Sequence, residues 1–289
     1  MTVPASCSGP AVLQAGRFRL VLDRVHVMGI VNVTPDSFAD GGRHADAAAA
    51  IAHAEALVRE GADLIDVGGE STHPDAPAVD EAEEWRRVEP VLRAARTLGV
   101  PVSVDTRRPA VMRRALDLGA DMINDVQALQ APGALQALAA HPTAAACLMH
   151  MRGEPSTMRT LAHYDDVTAE VAAFLRERLD AARQAGVADE RLLLDPGYGF
   201  AKTPAQTLTL LAQQRQLLAL GRPLLAGLSR KGTLGVVTGR PVGQRLPASL
   251  AAALIAAQQG AAVLRVHDVA ATVDVLKVWQ AVRDQGLPG

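Results

Sequence analysis

GADLIDVGG (Gly61–Gly69) packs a helix stop, a short apolar strand and a polar exit into one step of the chain. A glycine that closes a helical pattern suits the left-handed position after a helix, where a Cβ would be strained. The Leu-Ile-Asp-Val run that follows is too short for a helix and has the β-branched content of a buried strand. The same step returns as GVPVSV (Gly99–Val104), GADMIND (Gly119–Asp125) and GRPLLAG (Gly221–Gly227). This is a repeat of structure, one βα unit after another.

Working outward from that step, eight strands are predicted: Val25–Val33, Asp63–Gly68, Pro101–Thr106, Met122–Val126, Ala144–Met151, Leu192–Pro196, Pro223–Leu228 and Val263–His267. Several are continuous apolar runs, as in strands covered on both faces. Helical patterns lie between them. Trp85, Val88, Val91, Leu92 and Ala95 recur at helical spacing, as do Val167, Val171, Phe174, Leu175, Leu179 and Ala182. Gly186 and Gly260 add further stops. Eight alternating units in 289 residues predict an α/β protein, a single-domain (β/α)₈ TIM barrel over residues 17–289. A doubly wound sheet would carry GxGxxG after its first strand, where this chain has NVTPDSF. Residues 1–16 read as a short N-terminal extension, a loose tail, with Arg17–Leu22 as a capping strand.

Composition narrows the function. Hydrophobic residues make up 49% of the chain and aromatics only 3%, so the core is Ala, Leu and Val. A net charge of −2 gives no reason to expect nucleic acid or an anionic membrane as partner. No run approaches the roughly 20 apolar residues of a membrane span. No signal peptide is visible, and Cys7 and Cys147 form no metal or disulfide framework. The expected setting is cytoplasmic.

In a barrel, strand C-terminal ends carry chemistry. Here those ends are polar: Asn32, Thr72 with His73, Asp105, Asn124, His150, Asp195, Ser229 with Lys231, and Arg265 with His267. Strand starts read as apolar or as simple turns. Asp105, Asn124, Asp195 and Lys231 suit a flat heterocycle with an amidine-like edge, each charge-assisted hydrogen bond being worth about 1.5–3 kcal/mol. The competing reading is an internal Asp–Lys salt bridge. Arg265 and His267 lie two apart on one strand and share a face. With Asn32, whose side-chain oxygen is a suitable Mg²⁺ ligand, they make a candidate diphosphate site. The bland reading is a surface arginine beside a helix start. His26 reads as structural, Met149 and Met151 as core, and no GxSxG or Cys-His pair offers a nucleophile.

GIVNVTPDSFADGG (Gly29–Gly42), DVGGESTHPDA (Asp66–Ala76), SVDT (Ser103–Thr106), MINDV (Met122–Val126), LMHMRG (Leu148–Gly153), DPGYGFAKT (Asp195–Thr203), LSRKG (Leu228–Gly232) and RVHDV (Arg265–Val269) together resemble the dihydropteroate synthase family, in order from about Val25 onward. The resemblance implies a pterin-binding transferase of folate biosynthesis. It would join 6-hydroxymethyl-7,8-dihydropterin diphosphate to p-aminobenzoate, giving 7,8-dihydropteroate and diphosphate. It implies pterin on Asp105, Asn124, Asp195 and Lys231, with Asp105, Asp195 and Lys231 catalytic. Diphosphate would lie on Asn32, Thr72, Arg265 and His267, with Mg²⁺ on Asn32. The p-aminobenzoate would lie against Thr72, Pro74, Phe200 and Ser229, and the loops Thr34–Arg43 and Ser71–Ala78 would close over the site. A homodimer through the last helices is also implied, and the Ala248–Gln259 stretch lacks any charge.

Two departures stand out. His73 occupies a position where the family usually has Arg, and Ala201 one where a Gly is common. The first removes a fixed positive charge beside the diphosphate; the second is expected to matter little. The alternatives are a methyltetrahydrofolate:corrinoid methyltransferase, which needs no diphosphate site, and a catalytically impaired pterin-binding paralogue.

Overall fold

The computed structural model describes residues 11–33, 42–73, 76 and 79–286. It is a closed eight-stranded parallel barrel. Its strands are β3 (His26–Asn32), β4 (Leu64–Gly68), β5 (Val102–Asp105), β6 (Met122–Asp125), β7 (Ala145–Met149), β8 (Leu192–Asp195), β9 (Leu224–Ala226) and β10 (Ala261–Val266). β10 pairs with β3 and closes the ring. All eight predicted strands are present, with ends shifted by a residue or two. The helical patterns become α2 (Glu81–Ala95) and α5 (Val167–Gln184), each started by an aspartate, Asp80 and Asp166, that accepts from first-turn N–H groups.

The capping strand expected at Arg17–Leu22 is present as Phe18–Val21, but the segment before it departs from the expectation. Val12–Ala15 (β1) and Phe18–Val21 (β2) form an antiparallel hairpin, so residues 12–16 are no loose tail. Leu13 and Ala15 are fully buried. They pack against Met28, Leu64, Met122, Cys147 and Leu225 at the bottom of the barrel. An open barrel end would leave those side chains wet, and the hairpin covers them. Residues before 11 lie outside the described part.

Strand starts also prove less simple than the sequence suggests. Asp121, at the head of β6, is 1% exposed and takes Arg17 through Oδ1 and Oδ2, each at 3.1 Å. Asp63, before β4, accepts from Arg24 (2.9 Å) and from the Val27 N–H (2.9 Å). The aspartate of each GAD step is thus a staple at the barrel base. His26 is buried there, its Nδ1 3.1 Å from the Arg24 carbonyl oxygen, and is structural as expected.

Strand register sorts the interior into layers, because residues two apart share a face. The lower layer is Met28, Leu64, Met122, Ala145, Leu193, Leu225 and Val263. Two residues further along the same strands stand Asp66, Asn124, Asp195 and Arg265, placed by the register between neighbouring strands. The polar site is built directly on the apolar layer.

Candidate active site

Arg265 anchors the barrel mouth. Its Nε donates to Asp66 Oδ2 (2.6 Å), its Nη2 to Asp105 Oδ2 (2.8 Å), and Asn124 Nδ2 donates to the same Asp66 oxygen (3.0 Å). Three strands, β4, β5 and β6, are thereby tied to β10. Burial opposes the arginine's charge, but Asp66 and Asp105 hold its pKa above the ordinary value. Burial pushes the Asp105 carboxyl up, against the pull of Arg265. Asp66 is fully buried and its Oδ1 has no protein partner. An isolated acid inside LIDVG is the sequence signal that could have found it; only the register shows that it faces inward.

Across the floor, Asp195 accepts from the Gly197 N–H (2.7 Å). Burial raises its pKa, opposed by Lys231. Lys231 is lowered to about 8 by burial, with Asp195 working the other way. The Lys231 ammonium donates to the Tyr198 carbonyl oxygen and stands 4.3 Å from the centre of the Phe200 ring. Asp105, Asn124, Asp195 and Lys231 therefore sit on one floor. The bland Asp–Lys salt bridge does not form, since Lys231 engages a carbonyl and a ring; the direct ion pairs run through Arg265.

Ser229 and His267 make a second contact at the rim. The Ser229 Oγ lies 3.0 Å from His267 Nδ1 and accepts from the His267 N–H (3.2 Å). Burial, then Arg230 and Arg265, lower the imidazole to about 4. Arg265 is engaged by two carboxylates, and His267 is a neutral ring near pH 7. Asn32 is exposed at the end of β3, and Thr72 is half-buried beyond β4. Pro74 lies outside the described residues, as does Thr34–Gly41, most of the first loop.

The second loop's stem carries an ion-pair cluster that the sequence did not suggest. Arg108 donates to Glu70 (2.8 and 2.9 Å), to buried Glu84 (2.5 Å) and to the Val79 carbonyl oxygen. Arg107 adds a bond to Glu70 (3.2 Å). Both ends of the segment bearing Thr72 and His73 are therefore fastened. Ala201 stands in a strained position. Its φ is +47°, a left-handed conformation that costs a non-glycine residue about 1–2 kcal/mol. Its methyl packs among Val126, Met149, Met151 and Met158. Those two flanking methionines are core, as expected.

A separate cavity of about 570 Å³ opens beside Gln127, Gln130, His150, Arg152, Glu170 and Phe174. Arg152 and Glu170 there are paired with each other. Burial also shifts His150 beside that cavity, but Asp105, Asp195, Lys231, Arg265 and His267, all shifted, converge at the barrel mouth, which is the active-site candidate.

Residues 28–267 match the pterin binding enzyme family. The chain is 50% identical over 277 residues to the dihydropteroate synthase of Neisseria meningitidis serogroup B, covering 94% of this chain and 97% of that one. It is 48% identical over 263 residues to that of Escherichia coli K12, covering 91% and 93%. Among solved structures, Xanthomonas albilineans dihydropteroate synthase with 4-aminobenzoic acid superposes with a TM-score of 0.90 at 55% identity, covering 97% of this chain and 100% of that one. The same enzyme in complex with 7,8-dihydropteroate gives 0.86 at 52% identity, covering 96% and 100%.

Proposed function

The chain belongs to the pterin-binding enzyme family, and from that membership we infer that it is a transferase of folate biosynthesis, joining 6-hydroxymethyl-7,8-dihydropterin diphosphate to p-aminobenzoate. The products are 7,8-dihydropteroate and diphosphate. The observation that carries the reading is the convergence of Asp105, Asn124, Asp195 and Lys231 on one floor with Arg265.

The pterin lies on that floor. Carboxylates of Asp105 and Asp195 accept from its amidine-like edge, while Asn124 and Lys231 address a ring nitrogen and the carbonyl. In the reaction the methylene C–O bond to diphosphate breaks and both electrons leave with the diphosphate. Asp105 and Asp195 stabilise the cationic methylene that remains. The amine nitrogen of p-aminobenzoate then forms the new C–N bond and loses one proton. No enzyme nucleophile is required. Phe200 and Ser229, with Thr72 and Pro74, border the p-aminobenzoate position.

Diphosphate is held by Arg265, His267, Thr72 and Asn32. His267 acts as a hydrogen-bond donor in its neutral form. Among the described residues no cluster of three or more His, Cys, Asp or Glu is arranged to hold a metal ion. Asn32, exposed at the end of β3, offers a carboxamide oxygen that fits an ion arriving on the diphosphate, because Mg²⁺ commonly keeps its waters and takes one or two protein oxygens. Asn32 would hold Mg²⁺ through Oδ1, where the ion would neutralise charge on the leaving group.

A homodimer is favoured by exposed apolar side chains on the last three helices. Val236 and Val237 lie on α7 (Gly232–Thr238), Leu246 and Ile255 on α8 (Leu246–Gln258), and Val278 and Val282 on α9 (Val269–Asp284). Val236 is 70% and Val282 72% exposed. The uncharged helix α8 buries Ala252, Ala253, Ala256 and Ala257 against the barrel and leaves Ile255 outward. A single 30.3 kDa species in sedimentation across micromolar concentrations would reject the dimer. No helix of the described residues is long and apolar enough to cross a membrane. The free, buried Cys147 favours a cytoplasmic setting.

The test is diphosphate release with purified protein. Release that requires both p-aminobenzoate and the pterin diphosphate, and stops with a Mg²⁺ chelator, is expected. Silence with all components present rejects the reading in favour of an impaired paralogue. Methyl transfer from methyltetrahydrofolate in its place points to the methyltransferase.

A further inference from the structure

Lys202 is 7% exposed, and among the described residues no carboxylate forms an ion pair with it. Its ammonium spends its donors on the loop that follows β8. Nζ donates to the carbonyl oxygens of Gly197 (2.9 Å) and Phe200 (3.0 Å) and lies 2.8 Å from His150 Nδ1. The His150 ring is buried, edge-on to Phe174 at 4.9 Å; burial and the neighbouring Lys202 disfavour its protonation, and facing an ammonium that only donates, Nδ1 serves as the third acceptor. Burial pulls the Lys202 pKa well down and Asp195 opposes it; three short contacts, with the His150 carbonyl oxygen at 3.5 Å as a fourth, make a rigid centre, since any carbonyl that leaves strands a buried donor.

The loop it holds is bent in an unusual way. Gly197, Gly199 and Ala201, alternate residues, all have positive φ (+69°, +76° and +47°). A Cβ on Gly197 would stand 1.9 Å from the His150 carbonyl oxygen, so the loop runs hard against the end of β7. The consequence is that its carbonyls serve two lysines. Those of Gly197 and Phe200 go to Lys202, while that of Tyr198 goes to Lys231. The same few residues supply the N–H that orients Asp195 and the ring beneath the Lys231 ammonium.

We propose that Lys202, seated on His150, is a positioning residue for the reaction: by clamping the Gly197–Phe200 loop from behind, it sets the geometry of Asp195 and Lys231 without touching substrate. The proposal rests on the synthase reading for its kinetic test, so wild-type turnover is measured first; a failure of that reading shows there. Affinity for 6-hydroxymethylpterin, followed by calorimetry, does not depend on turnover.

In Lys202→Met, kcat/KM is expected to fall about 30-fold or more, with higher KM for p-aminobenzoate and pterin affinity weakened at least fivefold in protein that remains folded. The decisive comparison is the double variant. In a Lys231→Ala background, Lys202→Met should add threefold or less to the loss in pterin affinity, because the group it positions is gone. Where Lys202→Met fails to fold, His150→Phe replaces it; this keeps the packing on Phe174, removes the third acceptor, and should weaken pterin binding three- to tenfold. Wild-type affinity and KM in the folded single variant overturn the proposal. So does an undiminished effect in the Lys231→Ala background, the mark of a residue that only stabilises the fold.

Discussion

The lower and upper layers of the barrel interior are made by the same strands, yet they differ in almost every physical respect. Leu64 and Asp66, Met122 and Asn124, Leu193 and Asp195, Val263 and Arg265 are pairs two residues apart on a strand. At about 3.3 Å of rise per residue, some 6–7 Å of height separates a dry core from a reactive floor. The lower layer is closed from beneath by Leu13 and Ala15 and held by packing. The upper layer is held by ion pairs and loop carbonyls. The chemistry is precise because its base cannot move: each polar group stands on a residue fixed by close packing.

That contrast can be broken from below. Leu64→Asp puts an unpaired charge into the lower layer, and should cost about 3–5 kcal/mol or prevent folding altogether. Thermal melting checks this; an unaltered midpoint would mean that the layer is not sealed. From above, Asp195→Asn should keep the fold and lower kcat/KM about 10²–10³-fold, the size expected for removing one electrostatic stabiliser of a transition state. Diphosphate release together with circular dichroism separates the two outcomes, and a melting loss as large as that of Leu64→Asp would erase the distinction between layers.

The upper layer should also respond to pH where the lower cannot. Lys231, lowered to about 8, is protonated and able to donate below that value and loses its proton above it. Activity should therefore fall about tenfold per pH unit on the basic side. A Lys231→Arg variant should lose that limb even if it is slower throughout. His73→Arg is expected to raise kcat/KM two- to fivefold by restoring a fixed charge next to the diphosphate. A matched pH profile from pH 6 to 8, with no gain in rate, would count against it. The smallest effect belongs to Ala201→Gly, which removes the left-handed penalty and the buried methyl together. The two terms nearly cancel, and denaturant midpoints should place the net change within about 1 kcal/mol.

Much of this was legible before any coordinates. The strands could be found because a parallel sheet buried on both faces demands continuous apolar runs, and glycine steps such as Gly61–Asp63, Gly99–Pro101, Gly119–Asp121 and Gly221–Pro223 mark where four of them begin. Asp105, Asn124, Asp195 and Lys231 could be found because they end those runs. Asp66 could not be placed, since one acid inside LIDVG reads equally as a solvent-facing residue until the register turns it inward. Lys202 was hidden for a different reason: it follows the glycine-rich turn, three-dimensionally behind the site, and its partners His150 and Gly197 are 52 and 5 residues away. Of the hairpin at the base, the second strand was legible as Arg17–Leu22, but the first was misread as tail because Leu13 and Ala15 have no helix or strand of the repeat beside them in sequence.

The sequence by itself determined the barrel, the order of its strands and which residues reach the rim, because burial on both faces and a period of two leave few other arrangements. Only the tertiary structure decided how those residues are spent. It put Arg265 between two carboxylates, left His267 neutral beside Ser229, and turned one loop's carbonyls toward two different ammonium groups. Those outcomes depend on distances between strands and on local desolvation, which no single stretch of chain encodes.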